Sequence, residues 1–170
     1  MIRSDEKNEI VAVRMDERLL HGIITTQWIP RTLCDRVMVI DDVVAGDPLK
    51  KEVMKLSRPV DKALSIIDRS TAVDHFREGR YRGQRLFILG RDIHILPELL
   101  ELGMPLPAIN IGMYYAPSRD HVLTKRVALS REDVQIIGAL RRAGCSFVSQ
   151  YVPSDETVKL DKVLAPLLSE

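Results

Sequence analysis

Short apolar runs alternate with amphipathic stretches of 10 to 15 residues along most of this chain. The pattern predicts a first strand over residues 9–15, then a polar loop and a helix over 22–33 stopped near Pro30. Arg36 to Asp42 reads as a second, buried strand. Asp47-Pro48 opens a helix that ends before Pro59, because Asp is a good N-cap and Pro suits the first helical position. Lys62 to Ile67 predicts a third strand, with Ser70 capping a helix that runs to about Gly79. Gln84 to Gly90 is a fourth strand, followed by a helix from Ile95 to Leu102 closed by Gly103.

Pro107 to Gly112 predicts a fifth strand ending in glycine. Met113 to Asp120 has no periodicity and reads as a loop, and Lys125 to Leu129 as a short edge strand. Ser130 and Asp133 resemble a capping box, and Val134, Ile137, Leu140 and Ala143 or Gly144 share one face of the helix it opens. Cys145 to Val152 predicts a last strand. The terminal helix carries Leu160, Val163, Leu164, Leu167 and Leu168 on one stripe, strained at its end by Pro166. Strands alternating with helices imply βαβ units. The expected fold is therefore α/β, a single open, mostly parallel sheet with helices on both faces, and residues 1–170 form one domain.

Composition narrows the function. At 170 residues, 45% apolar and 29% charged, the chain is an ordinary globular sequence. A formal net charge of +1, with no basic stripe, argues against nucleic acid as a partner. No apolar run approaches transmembrane length, and Met1 to Glu9 is too polar for a secretory signal. Cys34 and Cys145 lack metal-ligand spacing and read as small buried hydrophobes in a reducing cytosol. No metal site and no cofactor is expected, and nucleotide-binding glycine loops are absent.

The chemistry concentrates in Val13 to Gly22, where an apolar run delivers two arginines, an acidic pair and a histidine just before a helix. Open α/β sheets place ligands at such strand ends. A neutral imidazole is a competent nitrogen nucleophile near pH 7, so His21 is the candidate acceptor of a phosphoryl group. Arg14 and Arg18 are candidate phosphate ligands, since a guanidinium donates paired hydrogen bonds and keeps its charge. Gly22 would let the backbone approach the phosphate, and Thr25 and Thr26 add hydroxyls in the first helical turn. Asp16 is a supporting residue, able to hold an arginine or orient the histidine. His75, His94 and His121 have no comparable setting.

The motif Arg14-x-Asp16-x-Arg18-Leu-x-His21-Gly22 resembles the signature of the enzyme IIB component of the mannose/fructose/sorbose family of the bacterial sugar phosphotransferase system (PTS). The resemblance extends to Val39-Ile-Asp-Asp42-Val-Val-Ala45-Gly-Asp47, Ile109-Asn110-Ile-Gly112, Leu129-Ser130-x-Glu132 and the stretch Gly144 to Pro153. Three positions depart from the family pattern. Ile23 replaces the usual Gln, Asp41 the usual Asn, and Met113-Tyr114-Tyr115 a second glycine.

The resemblance implies a phosphoryl carrier and a mostly parallel α/β fold. Enzyme IIA would donate phosphate to His21, which would pass it to a sugar imported by the membrane components IIC and IID. The protein would then be cytoplasmic, held peripherally at the inner face of the membrane. Family members use the ring nitrogen Nδ1. Two rival readings stand beside it: a magnesium-dependent aspartyl-phosphate domain using Asp41 or Asp42, and a regulatory relative without activity. For Asp41 and Asp42 the simpler role is to end the strand and cap the next turn.

Overall fold

In the computed structural model, which describes residues 9–168, an apolar strand buried on both faces runs through the middle of the molecule. This strand, β1 (Glu9–Asp16), pairs in parallel with β4 (Arg85–Gly90) on one side and β5 (Ile109–Tyr115) on the other. Beyond β4 lie β2 (Arg36–Ile40) and then β3 (Ala63–Ile67), both parallel. Beyond β5 lie β7 (Val127–Leu129) and the edge strand β6 (His121–Thr124), which is antiparallel to β7. The other end of β5 pairs with β8 (Phe147–Ser149), and β8 with the two-residue β9 (Val158–Lys159). The result is one open, mostly parallel sheet in the order β3-β2-β4-β1-β5-β7-β6.

Alternation along the central strands divides the apolar residues into two cores. Met38, Ile40, Leu86 and Ile88 point to one face, under α4 (Arg69–Arg77), α5 (Ile95–Glu101), α6 (Arg131–Arg142) and α7 (Leu160–Leu164). Val37, Val39, Phe87 and Leu89 point to the other. There they meet Leu19, Leu20, a π-helical turn (Ile24–Trp28), α1 (Ile29–Thr32) and α2 (Asp42–Ala45), with α3 (Pro48–Lys55) alongside. Helices thus cover both faces, as the pattern predicts.

Local chemistry explains most boundaries. Asp47 accepts from Lys50 N at 3.1 Å and caps α3, with Pro48 in its first turn. Ser130 and Asp133 form a full capping box on α6, bonded at 3.0 and 2.8 Å. Several expectations are corrected. Asp68, not Ser70, caps α4, accepting from Thr71 N at 2.7 Å. Pro30 does not stop its helix. It lies in the first turn of α1, where a missing N–H costs little, and the turn ends at Leu33, which has φ 52°. β5 continues past Gly112 to Tyr115, and β7 is an interior strand because β6 covers its edge. The strand expected over Cys145 to Val152 is β8, which stops at Ser149, and the terminal helix changes after Leu164 from α to a 3-10 turn over Ala165–Leu168.

Candidate functional site

β4 lies on one side of β1 and β5 on the other, so the chain crosses over β1 between them. The carboxyl end of β1 is therefore a topological switch point, where open α/β sheets bind ligands. Val13 and Met15 enter the first core, so Arg14 and Asp16 share the opposite face at this end. The loop that follows is tied down along its length. Glu17 N extends the pairing to Met113 O at 2.9 Å, and Arg18 N turns back to Asp16 Oδ1 at 3.0 Å. Leu19 takes a left-handed φ of 56° and donates to Asp16 O, burying its side chain and that of Leu20 in the second core. This compact turn sets His21 beside Asp16.

Asp16 is fully buried and surrounded by donors. Its Oδ2 accepts from Arg14 Nε and Nη2 at 3.2 and 3.0 Å and from Arg18 Nη2 at 3.3 Å, while Oδ1 accepts from Arg18 Nε at 3.2 Å. Burial alone would raise its pKa. The His21 imidazole 3.5 Å away, hydrogen bonds from Arg18 and the charge of Arg14 outweigh burial and hold the carboxyl at about 2. His21 is 18% exposed, and its Nε2 is buried 3.5 Å from Asp16 Oδ2, without a well-formed hydrogen bond. The ionised carboxylate therefore faces Nε2 and leaves Nδ1 as the other nitrogen of the ring.

The two arginines take different positions. Arg14 is buried, and four of its N–H bonds are committed: two to Asp16, one to Gln150 O at 2.8 Å and one to Tyr151 O at 3.1 Å. It also packs 5.1 Å from the Trp28 ring centroid. The Arg14 guanidinium is thus committed to groups of the protein itself. Arg18 is 33% exposed, lies 5.2 Å from the Tyr151 ring centroid and donates from Nη1 to Tyr151 Oη at 3.1 Å.

Thr25 and Thr26 are placed otherwise than expected: their hydroxyls donate to Ser57 O and Gly22 O, each at 2.7 Å. Gly22 has no neighbour within 4 Å of an added Cβ, so the space beside it is open. The rival pair at the end of β2 has other partners. Asp41 accepts from Arg91 at 2.6 and 2.9 Å and caps α2 through Val44 N, and Asp42 accepts from Arg69 N at 2.7 Å.

Sequence reasoning gave no role to the wall beside Arg14 and Arg18, although Asn110, Gln150 and Tyr151 fall in segments that carry the family resemblance. Asn110 pairs with the backbone of Gln150 in both directions at 3.0 Å, and Gln150 Nε2 donates to Pro153 O and Asp155 O. These bonds hold Tyr151 over Arg18, and Trp28 Nε1 donates to Tyr151 O at 3.0 Å. Gly112 is a further signal in the sequence for this wall. A Cβ there would overlap the Arg14 guanidinium, so the strand needs a glycine where that side chain crosses it.

A doubly covered parallel sheet with a histidine, two arginines and a buried carboxylate at its switch point marks a ligand-binding α/β protein. The chain belongs to the family described as PTS system sorbose subfamily IIB component, whose model matches residues 10–168. It is 27% identical over 155 residues to the fructose-specific EIIB component of Bacillus subtilis (strain 168), covering 91% of this chain and 95% of that one. It is 30% identical over 156 residues to the N-acetylgalactosamine-specific phosphotransferase enzyme IIB component 2 of Escherichia coli (strain K12), covering 91% and 98%. The crystal structure of the IIBSor domain of the Klebsiella pneumoniae sorbose permease superposes with a TM-score of 0.83 at 26% identity, covering 91% and 96%. The protein is thus a component of a sugar phosphotransferase system and, in general terms, a phosphotransferase. No helix among the described residues is long and apolar enough to cross a membrane.

Proposed function

We propose that this chain is a single-domain phosphoryl carrier in which His21 accepts the phosphoryl group of a IIA phosphohistidine and passes it to a sugar. The observation that carries this reading is the buried Nε2 of His21, 3.5 Å from a carboxylate that two arginines keep ionised. Nδ1 attacks phosphorus as the donor P–N bond breaks, and the ring becomes cationic with its proton on Nε2. Asp16, facing that nitrogen, stabilises the cation as the aspartate of a catalytic triad stabilises imidazolium. Arg18 is the phosphate ligand at the mouth of the site, and Arg14 holds Asp16 in place from behind. Gly22 keeps the entry open. The sugar arrives through IIC and IID, and the carrier works at the cytoplasmic face of the membrane.

The test is incubation with the general phosphotransferase proteins, a matching IIA and phosphoenolpyruvate. An acid-labile phosphate is expected on the wild-type protein and none on His21→Ala. Label that survives His21→Ala, or fails to form on wild type, overturns the assignment. Magnesium-dependent, acid-stabler phosphate on Asp41 or Asp42 would favour the aspartyl reading instead.

A further inference from the structure

The ring of Tyr151 carries a second guanidinium. Arg126 Cζ lies 3.7 Å from the ring centroid, closer than Arg18 at 5.2 Å. Arg126 sits in the turn between β6 and β7, where its N–H donates to Thr124 Oγ1 at 3.1 Å and its carbonyl accepts from Tyr114 N at 2.8 Å. The backbone is thus fixed while the side chain lies over Tyr151, whose hydroxyl accepts from Arg18. Among the described residues, nothing accepts a hydrogen bond or forms an ion pair with its guanidinium, although Asp155 and Glu156 line the same cavity of about 200 Å³ beside Tyr151. Tyr151 is anchored at both ends, its carbonyl by Arg14 and Trp28 and its hydroxyl by Arg18.

The Arg126 guanidinium has no ion-pair partner among the described residues. Arg18 and Arg126 share the Tyr151 ring, the buried Asp16 is already held by Arg14 and Arg18 and faces His21, and Asp155 and Glu156 line the cavity without pairing with Arg126. Two cations on one aromatic ring repel each other, and the ring face compensates each of them only modestly. A guanidinium held on the ring that also carries Arg18, and left without an ion-pair partner, suits a dianionic phosphoryl group, which attracts cations strongly where water is partly excluded.

We infer that Arg126 is the second phosphate-facing cation of this site, the part expected from the sequence of Arg14. Tyr151 is the positioning residue that holds Arg126 on its face and Arg18 on its hydroxyl. The inference rests on His21 as phosphoryl acceptor, so the test uses a donor that needs no partner protein. With phosphoramidate, the donor P–N bond breaks as a P–N bond to His21 forms, and nitrogen leaves as ammonia. The label is located by ³¹P NMR with His21→Ala as control, and folding of each variant is checked by circular dichroism.

Arg126→Met is expected to lower the second-order rate constant at least fivefold and to flatten its dependence on ionic strength, because salt screens the lost attraction. Arg126→Lys, which keeps the charge, is expected within about twofold of wild type. Tyr151→Phe, which keeps the ring, should slow transfer less than Tyr151→Leu. Wild-type rate and salt dependence in Arg126→Met would overturn the inference, as would equal damage in Arg126→Met and Arg126→Lys, which marks a packing role. No label on His21 in the wild-type protein removes the carrier reading itself, and this inference with it.

Discussion

A carboxylate taken out of water is costly unless cations and donors replace the lost hydration. Asp16 meets that condition through His21, Arg18 and Arg14, which is why its pKa falls to about 2 although burial pushes the other way. Its ordinary value is 3.8, so the folded state binds the proton less tightly than the unfolded chain. The stabilisation is therefore fully present above pH 4 and is lost as pH falls toward 2, with a linkage contribution of about 2 kcal/mol. Asp16→Asn should flatten that acid limb. At pH 7 it should cost about 3–5 kcal/mol, because Arg14 is left as a buried, unpaired cation. Urea unfolding followed from pH 2 to 7 checks both parts. An unchanged acid limb would show that other carboxylates dominate.

At the level of elements, the pattern was legible wherever residues declare themselves locally. The strands β1, β2 and β4 are short apolar runs, and α3 and α6 begin at their own capping side chains. It failed where neighbours decide. Met113 to Tyr115 is aperiodic in sequence, yet Tyr114 and Tyr115 pair with Val127 and Ala128, which continues β5. Gly112 ends an apolar run and looks like a turn, but it lies inside the strand to admit Arg14. Replacing it distinguishes these readings. Gly112→Ala should displace the guanidinium, break bonds to Asp16, Gln150 and Tyr151, and destabilise the fold by about 2–4 kcal/mol. Gly22→Ala, whose Cβ meets nothing within 4 Å, should change stability by no more than about 0.5 kcal/mol. Equal effects at the two positions in chemical denaturation would refute the crossing argument.

Across the whole molecule, half of the candidate site could be read and half could not, for one reason. Arg14, Asp16, Arg18 and His21 lie within eight residues, so their chemistry is visible as a motif. The wall beside Arg14 and Arg18 comes from strands brought together by the sheet, with Gln150 and Tyr151 lying 136 and 137 residues from Arg14. No local spacing reveals such a partner. The dependence of the wall on distant contacts makes it separable from global stability. Gln150 holds the following turn through its own amide, which donates to Pro153 O and Asp155 O, while Asn110 grips its backbone. In Gln150→Ala the backbone grip survives and the turn from 151 to 156 loosens. Native-state hydrogen exchange should then accelerate at residues 151–156, while amides in β4, between β1 and β2, keep their protection within about 1 kcal/mol. Trp28 fluorescence should shift, because its Nε1 donates to Tyr151 O, and transfer to His21 should slow through looser placement of Arg18. A uniform rise in exchange across the sheet would instead mean that Gln150 supports the fold as a whole. Unchanged exchange with slowed transfer would place Gln150 among the groups that meet the phosphate.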